Sequence, residues 1–299
     1  MISTPWGPLP CADAHVHFFS RDFLAALAME KGIPLDDLGR HLGWQIPADA
    51  HALAEQWAAE LDRHGVERAA LVASKPGDQD SVIAAVEKFP GRFFAWAMVN
   101  PCAAFAADSI RSAFQARLLR GLSFFPAMHR YSIQDERALA MIDMLAERGG
   151  VAFVHCGALT VGFRAKLGLR SDFDLRFSNP VDLHRVALLY PQVKFVIPHF
   201  GAGYFREALM VADLSPNVYL DTSSSNQWMR YEAEQTDLRT VFRRALAVLG
   251  PSRLLFGTDS SFFPRGWIRA VYETQAEIVP EDSAERIFHE NFERLFPLR

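Results

Sequence analysis

Cysteine is scarce in this chain: it has three cysteines in 299 residues, at positions 11, 102 and 156, and no Cys-X-X-Cys pair. So few, scattered and odd in number, they do not form the paired disulfide framework that holds small secreted domains together. Their scarcity fits a protein that folds in a reducing compartment. We therefore expect a cytoplasmic protein whose fold depends on a hydrophobic core, and half of its residues are hydrophobic.

Long apolar segments and clustered positive charge are also missing. No window comes near the ~18 uninterrupted apolar residues of a membrane span. Residues 1–8 have neither the basic nor the apolar region of a secretory signal. The formal net charge is -4 and no basic stripe runs along the chain, which argues against a nucleic-acid-binding protein. The expected partner is a small-molecule substrate, with no nucleic acid and no membrane.

What the chain does have is a regular alternation of strand-like and helix-like segments. Eight short β-type runs alternate with helical stretches between residues 11 and 257, and two more helical stretches follow. Alternation of this kind predicts a parallel sheet, and eight units favour one closed (β/α)8 barrel, a TIM barrel. We expect a single α/β domain over residues 1–299. Its further parts are a capping insertion near residues 19–49 and the C-terminal helices.

Five residues that can bind metal stand at the carboxyl ends of these runs. His15 and His17 end the first run, and residues two apart in a strand point to the same face. His155 ends the fifth run, His199 the sixth and Asp259 the eighth. The carboxyl ends of barrel strands form the active-site face of this fold. A lone histidine at a strand end is more often structural, but five residues in this arrangement predict a metal or catalytic site.

The residue types indicate a divalent metal. Neutral imidazoles and a carboxylate suit Zn²⁺, with Mn²⁺ or Fe²⁺ as alternatives. A catalytic site keeps one coordination position open for water or substrate, and the metal lowers the pKa of that water. Asp259 or His199 could then accept the proton as general base.

The order of these motifs resembles the amidohydrolase superfamily. The resemblance is strongest to the amidohydrolase-related branch, which includes aminocarboxymuconate semialdehyde decarboxylase, resorcylate-type decarboxylases and muconolactone-type hydrolases. It covers nearly the whole chain and rests on four motifs: Asp-Ala-His-Val-His at 13–17, Phe-Val-His-Cys-Gly at 153–157, Ile-Pro-His-Phe-Gly-Ala-Gly at 197–203 and Leu-Leu-Phe-Gly-Thr-Asp-Ser-Ser-Phe-Phe-Pro at 254–264.

The resemblance implies a set of metal ligands, and the sequence departs from the family pattern at one position. In the family pattern, His15, His17, His155 and Asp259 bind one divalent ion, while His199 hydrogen-bonds the metal's water or the substrate. Members with two metals use a bridging Lys or Glu at the end of strand four, which here reads Gly-Leu-Ser-Phe-Phe-Pro at 121–126. This favours one metal. Some lactone-hydrolysing relatives keep the histidines and work without metal, so that alternative stays open.

Candidate substrate-binding residues follow from position and charge. The branch acts mainly on carboxylated substrates, and a guanidinium pairs well with a carboxylate. Arg164 and Arg176 lie in the long connection after strand five, Lys75 follows strand two and His129 follows strand four. Most long basic side chains on loops are merely solvated, and His129 could equally be a solvated loop histidine. Members of the family are often dimers or tetramers, so the resemblance implies a homo-oligomer.

The leading functional prediction is a metal-dependent hydrolase. It would act on a small, carboxylated lactone, ester or amide through a metal-activated water. The alternative is a non-oxidative decarboxylase of an aromatic or muconate-type acid, and a hydratase is a third reading. His155-Cys156-Gly157 departs from the His-Pro-aromatic sequence expected of the muconate decarboxylases, which favours the hydrolase. A binding protein without catalysis is disfavoured because all five site residues are present.

Overall fold

A parallel eight-stranded barrel forms the centre of the molecule, as expected from the sequence. The structure, a computed structural model, describes residues 1–115, 118–223, 227–232 and 236–297. After a short antiparallel hairpin (β1, Ile2–Thr4; β2, Gly7–Leu9), the sheet runs in order from β3 to β10. Its strands are β3 Ala12–Phe18, β4 Arg68–Ala73, β5 Phe93–Val99, β6 Leu119–Phe124, β7 Val151–Val154, β8 Lys194–Ile197, β9 Val218–Asp221 and β10 Leu254–Leu255.

The segment after β10 closes the barrel against β3. Ala14 N donates to Phe256 O at 2.9 Å, and His17 N donates to Ser260 O at 2.7 Å. Between them, Asp259 N donates to His15 O at 2.9 Å. The backbone of one site residue is therefore hydrogen-bonded directly to that of another. The prediction of a (β/α)8 barrel is confirmed.

The barrel interior is packed with side chains and does not form a pore. Ala12, Ala14, Ala70, Val72, Phe94, Trp96, Val151, Phe153, Val196, Tyr219 and Leu255 form an inner cluster. Trp96 and Phe153 stack there with ring centroids 4.9 Å apart. Phe292 and Phe296 from the C-terminal region pack on Phe94 in the same cluster. The last helix therefore completes the core of the barrel, while the opposite faces of the strands pack on the surrounding helices.

Helices alternate with the barrel strands and surround them. They are α1 Arg21–Lys31, α2 Leu35–Leu42, α3 Ala50–His64, α4 Gln79–Lys88, α5 Ala106–Gln115, α6 Pro126–His129, α7 Glu136–Ala146, α8 Gly162–Lys166, α9 Val181–Leu189, α10 Phe205–Leu214, α11 Leu238–Leu249, α12 Arg269–Ala276, α13 Glu281–Glu285 and α14 Asn291–Leu295. Side-chain caps from Ser20 and Asp49 begin α1 and α3, and left-handed Gly32 and Gly65 end them. Within the described ranges, every helix is too short or too polar to cross a membrane.

The capping insertion contains a helix that the sequence did not predict. It is the eight-residue α2, which lies just before Trp44. Leu35, Leu38 and Leu42 share one face of α2 and pack in the cap. The helix has only eight residues and no side-chain cap at its start, so its pattern in the sequence is short. Together α1, α2 and the residues around Trp44 form a separate small hydrophobic cluster.

Candidate metal centre

All five residues singled out by the sequence meet at one end of the barrel. His15 and His17 lie on β3, His155 follows β7, His199 follows β8 and Asp259 follows β10. One nitrogen each of His15, His155 and His199 lie within 4.8 Å of one another. A nitrogen each of His15 and His17 and an oxygen of Asp259 lie within the same limit. His15 belongs to both groups, and we call these five residues the metal centre.

Two buried nitrogens of the metal centre have no hydrogen-bond partner among the described residues. They are His15 Nε2 and His155 Nδ1. Leaving a buried polar atom unpaired costs about 1–3 kcal/mol, and buried polar groups normally have partners. Imidazole nitrogens are ligands for Zn²⁺, Mn²⁺ and Fe²⁺. The donors present therefore fit a divalent cation, which would use the electron pairs that the protein leaves unpaired.

Asp221, at the end of β9, orients two of the histidines. His15 Nδ1 donates to Asp221 Oδ2 at 2.7 Å, and both side chains are fully buried. His199 Nδ1 lies 2.8 Å from Ser223 Oγ, which in turn donates to Asp221 Oδ1. Since the Nδ1 atoms are donors, the Nε2 atoms are the acceptors that face the centre. A carboxylate behind a ligating histidine is a common feature of metal sites.

Neither Asp221 nor Ser223 was predicted as a site residue. Asp221 is the last residue of β9, but a single aspartate at a strand end carries no motif. The signal that could have found it is its position at the same barrel end as the histidines.

His17 and Asp259 face each other on the more open side. His17 Nε2 lies 3.2 Å from Asp259 Oδ1, and His17 Nδ1 is held by Ser74 Oγ at 3.1 Å. Burial raises the pKa of a carboxyl group, but the hydrogen bond from His17 and the nearby imidazoles outweigh it. They hold the pKa of Asp259 below its usual range. Asp259 is therefore a carboxylate at neutral pH and available as a ligand or proton acceptor.

The deeper histidines differ in their protonation. Burial lowers the pKa of His155 well below the ordinary 6.5 and also lowers that of His199. Burial acts in the same direction on His15, but the Asp221 carboxylate outweighs it and the net pKa of His15 is raised. Neutral imidazoles bind metal without first losing a proton. His155 and His199 are therefore in the protonation state that ligation requires.

Close backbone approaches bring the strand ends together. A Cβ on Gly157 would lie 2.3 Å from the carbonyl oxygens of Gly201 and Ala202, so only glycine lets the segments after β7 and β8 approach this closely. His199 and Asp259 both adopt positive φ, 56° and 58°. Non-glycine residues in this region cost of order 1 kcal/mol or more and cluster at functional sites. The surrounding structure holds both side chains in a strained but fixed direction.

Asp13, the first residue of the Asp-Ala-His-Val-His motif, has a structural role. It is buried, and its Oδ2 accepts from Thr258 Oγ1 at 2.5 Å and from Trp267 Nε1 at 2.8 Å. Its Oδ1 accepts from the backbone N–H groups of His15 and Thr258. Asp13 therefore ties the strand that carries two histidines to the segment that carries Asp259.

A model of the amidohydrolase family matches residues 12–298, nearly the whole chain. The chain belongs to the amidohydrolase family. This confirms the resemblance that the four motifs indicated, and the family and its structures indicate an enzyme of the amidohydrolase superfamily.

Two solved structures show how far the fold is shared. The 5-carboxyvanillate decarboxylase LigW from Sphingomonas paucimobilis is 18% identical, covers 98% of this chain and 100% of its own, and superposes with a TM-score of 0.65. A Pseudomonas putida protein, provisionally named a 2-pyrone-4,6-dicarboxylic acid hydrolase, is 17% identical. It covers 98% of this chain and 99% of its own, with a TM-score of 0.64. The same barrel therefore occurs in proteins named for decarboxylation and for hydrolysis.

Two further structures of this fold are described with metals. An amidohydrolase from Burkholderia multivorans has bound zinc; it is 15% identical, covers 97% of this chain and 100% of its own, and has a TM-score of 0.59. A 5-carboxyvanillate decarboxylase from Novosphingobium aromaticivorans is complexed with manganese; it is 15% identical, covers 96% of each chain and has a TM-score of 0.62.

A curated relative matches only part of this amidohydrolase. Protein fluG from Emericella nidulans is 36% identical over 94 residues, which are 31% of this chain and 10% of fluG. The chain therefore corresponds to a small fraction of the length of that protein.

A cavity of about 800 Å³ opens from the metal centre towards the cap. Arg164, one of the predicted substrate-binding residues, lines it. Among the described residues, the lining does not include Lys75, His129 or Arg176. The structure therefore brings one of these four side chains to the cavity.

The four predicted substrate-binding residues differ in their contacts and exposure. Arg164 forms a two-pronged ion pair with Glu30 on α1, at 2.8 and 2.5 Å. Arg176 pairs in the same way with Asp174 and is largely exposed. Burial lowers the pKa of His129 to about 4. Lys75 is next in sequence to Ser74, whose hydroxyl group contacts His17. The side chain of Lys75 is not part of the cavity lining.

Proposed function

We propose that this amidohydrolase is a metal-dependent hydrolase that cleaves a small, carboxylated lactone, ester or amide. One divalent ion would be held by His15, His17, His155 and Asp259, with Zn²⁺ as the first candidate and Mn²⁺ or Fe²⁺ as alternatives. The observation that carries the proposal is the convergence of five donors at the barrel mouth, two of them with unpaired buried nitrogens. The mononuclear site is supported by the segment after β6, which offers phenylalanine and proline but no Lys or Glu.

A divalent ion bound at such a site polarises a carbonyl group and lowers the pKa of water towards neutrality. The protein's own residues supply the proton transfers. Asp259 is a carboxylate that can accept a proton from water, and His199 can accept or return one at Nε2 because its Nδ1 donates to Ser223. The cavity walls shield the substrate from bulk water, which strengthens these interactions.

Arg164 is our candidate partner for a carboxylate of the substrate. It lines the cavity, as do Lys166 and Arg265. A carboxylate entering from solvent would share or replace Glu30 on the Arg164 guanidinium, whose fork geometry suits two oxygens. The proposal gives no contact with substrate to Lys75, His129 or Arg176, because the cavity lining does not reach them.

A non-oxidative decarboxylase is the second candidate. The aromatic side chains that line the cavity favour it, because they would accommodate the ring of an aromatic acid. In that reaction the same residues would hold the carboxylate and a protonated His199 or Asp259 would deliver a proton to carbon. Cys156 and Gly157 after His155 still favour the hydrolase.

The test is a paired screen with the metal-loaded protein. Lactones and aryl esters are followed by acid release, and aromatic acids by CO2 release. Asp259→Asn should lower turnover of any confirmed substrate by at least about a thousandfold, which is the scale for losing a ligand and proton acceptor together. Asp108→Asn, an exposed aspartate on α5, is the matched control and should keep full activity. If Asp259→Asn retained activity, its assigned role would be wrong; CO2 release without any hydrolysis would select the second candidate.

A further inference from the structure

Five aromatic side chains form a continuous surface on the cap side of the cavity. They are Phe19, Phe23, Trp44, Phe163 and Phe262, and we call them the aromatic wall; all five line the cavity. Trp44 stacks on Phe262 with centroids 4.2 Å apart, and Phe19 lies 4.5 Å from Phe23. Phe163 meets Trp44 edge-on at 5.2 Å. Such offset and edge-to-face contacts are the preferred packing of aromatic rings.

Three separate parts of the chain supply the wall and are fastened to one another. Phe19, Phe23 and Trp44 belong to the cap, Phe163 to α8 and Phe262 to the segment after β10. The Arg164–Glu30 ion pair joins α8 to the cap. Gln45 N donates to Phe263 O at 3.0 Å, which joins the cap to the segment after β10. The wall is therefore formed before any ligand arrives.

The wall begins next to the metal centre. Phe19 follows His17 by two residues, and their rings lie 5.8 Å apart. A group bound on the wall is thus a few ångströms from a predicted ligand of the metal. The geometry resembles that of many small-molecule sites, in which apolar surface provides affinity and a few polar groups fix orientation.

Two of the three cationic side chains that line the cavity already lie against other groups of the protein. Arg164 is already engaged by Glu30, and the Arg265 guanidinium lies over the ring of Phe262 at 5.7 Å. The neighbouring lining is also apolar, with Leu27, Leu159, Val161, Ile268 and Val271. Apart from the metal centre, the cavity is therefore lined mainly by apolar side chains.

We propose that the aromatic wall is a binding site for an extended apolar part of the substrate, of the size of an aryl group or larger. This inference rests on the proposed function, since it takes the metal centre as the reacting end. The substrate class is then an ester, lactone or amide with a polar reacting end and an apolar body. A cavity of about 800 Å³ is in the size range of sites that enclose drug-sized ligands, about 300–1,000 Å³.

Binding of 2-naphthol, followed by its fluorescence, tests the wall without any turnover. Trp44→Ala and Phe163→Ala should each weaken binding about tenfold, the scale of one lost aromatic contact. Phe163 is partly exposed, so its variant guards against a folding failure of the buried Trp44 variant. Phe89→Ala removes a partly buried aromatic residue from the far end of α4 and should leave binding unchanged. Unchanged affinity in both wall variants, an equal loss in the Phe89 variant, or no binding to the wild type would overturn the proposal.

Hydrolysis of 2-naphthyl acetate separates this inference from the function on which it rests. If 2-naphthol binds in a Trp44-dependent way and neither 2-naphthyl acetate nor any carboxylated lactone or ester of the paired screen is cleaved, the wall stands and the hydrolase assignment loses its support. If the ester is cleaved with the same kcat/KM by the wild type and both wall variants, the function stands and the wall is not the site. The account predicts cleavage by the wild type and about a tenfold lower kcat/KM in the variants.

Discussion

The two sides of the cavity are built in different ways. The metal centre stands on or directly after barrel strands, and a buried polar network through Asp221 holds it. The aromatic wall comes from the cap, α8 and the segment after β10, and ring contacts and two cross-links hold it. Strand ends in a barrel are fixed by the sheet, whereas the connections can vary without loss of the fold. In the proposed function, the metal centre carries out the chemistry and the aromatic wall selects the substrate.

Asp221→Asn is expected to cause the largest change that affects the metal centre and leaves the aromatic wall unaffected. The amide keeps the size of the side chain but replaces the anionic acceptor of His15 Nδ1, so the ring loses its fixed tautomer. Metal affinity, measured by competition with a chelator, should fall about 10–100-fold. Binding of 2-naphthol to the wall should not change.

The control for this variant is Asp213→Asn, an exposed aspartate on α10. Metal affinity as strong as that of the wild type in Asp221→Asn would show that the carboxylate does not support the centre. An equal loss of naphthol binding would show that the two sides are not independent.

His129 lies on neither side and should affect stability with pH. Burial holds the pKa of His129 at about 4, below the ordinary 6.5. The unfolded chain therefore binds a proton between these values that the folded chain does not. The free energy of unfolding should fall as pH decreases from 6.5 to 4, by up to about 3 kcal/mol from this residue.

Denaturant melts of the wild type and His129→Phe at pH 7 and pH 4.5 measure this difference. The stability of the variant should depend less on pH in this range. Parallel losses in the two proteins would mean that His129 is not the residue responsible.

A smaller effect is expected from Arg164→Ala, which removes a cross-link of the wall. Binding of 2-naphthol should weaken about two- to fivefold, while metal affinity stays unchanged, since a partly exposed ion pair contributes little. Glu30→Ala should have a similar effect, and the double variant should lose no more than either single one because the two residues act as a pair. With a carboxylated substrate, KM should rise more in Arg164→Ala than in Glu30→Ala, because Arg164 is the proposed partner of the substrate carboxylate. Equal KM values in the two variants would remove Arg164 from that role.

The smallest effect is expected from Arg176→Ala. Its guanidinium is largely exposed, pairs with Asp174 and lies outside the cavity lining. Kinetic constants on any confirmed substrate should change less than about twofold, as for most exposed residues. A tenfold rise in KM would return Arg176 to the list of substrate-binding residues.

The sequence predicts those helix ends and site residues that are marked by a local pattern of residue types. A capping side chain begins α1 and α11 and a glycine follows each of them, and both signals can be read in the sequence. The strand ends that carry His15, His155 and Asp259 could be found because β-type runs stop there at residue types that can bind metal.

The rest depends on contacts that no local pattern encodes. Asp221 acquires its role only because the barrel brings the end of β9 to His15 on β3, 206 residues away in sequence. Trp44 and Phe262 are separated by most of the chain, and each alone looks like an ordinary packing residue. The shape of the wall is a tertiary property of three connections, so it emerged only with the structure.

The central claim is that the five residues at the barrel mouth form one metal site. Elemental analysis of protein purified without an affinity metal tests it most directly, with the His15→Ala/His17→Ala double variant as the comparison. The account predicts about one Zn, Mn or Fe per chain in the wild type and loss of that metal in the double variant. A wild type that takes up no metal, even after supplementation, would contradict it, and the same histidines would then act as acid–base and oxyanion-binding groups.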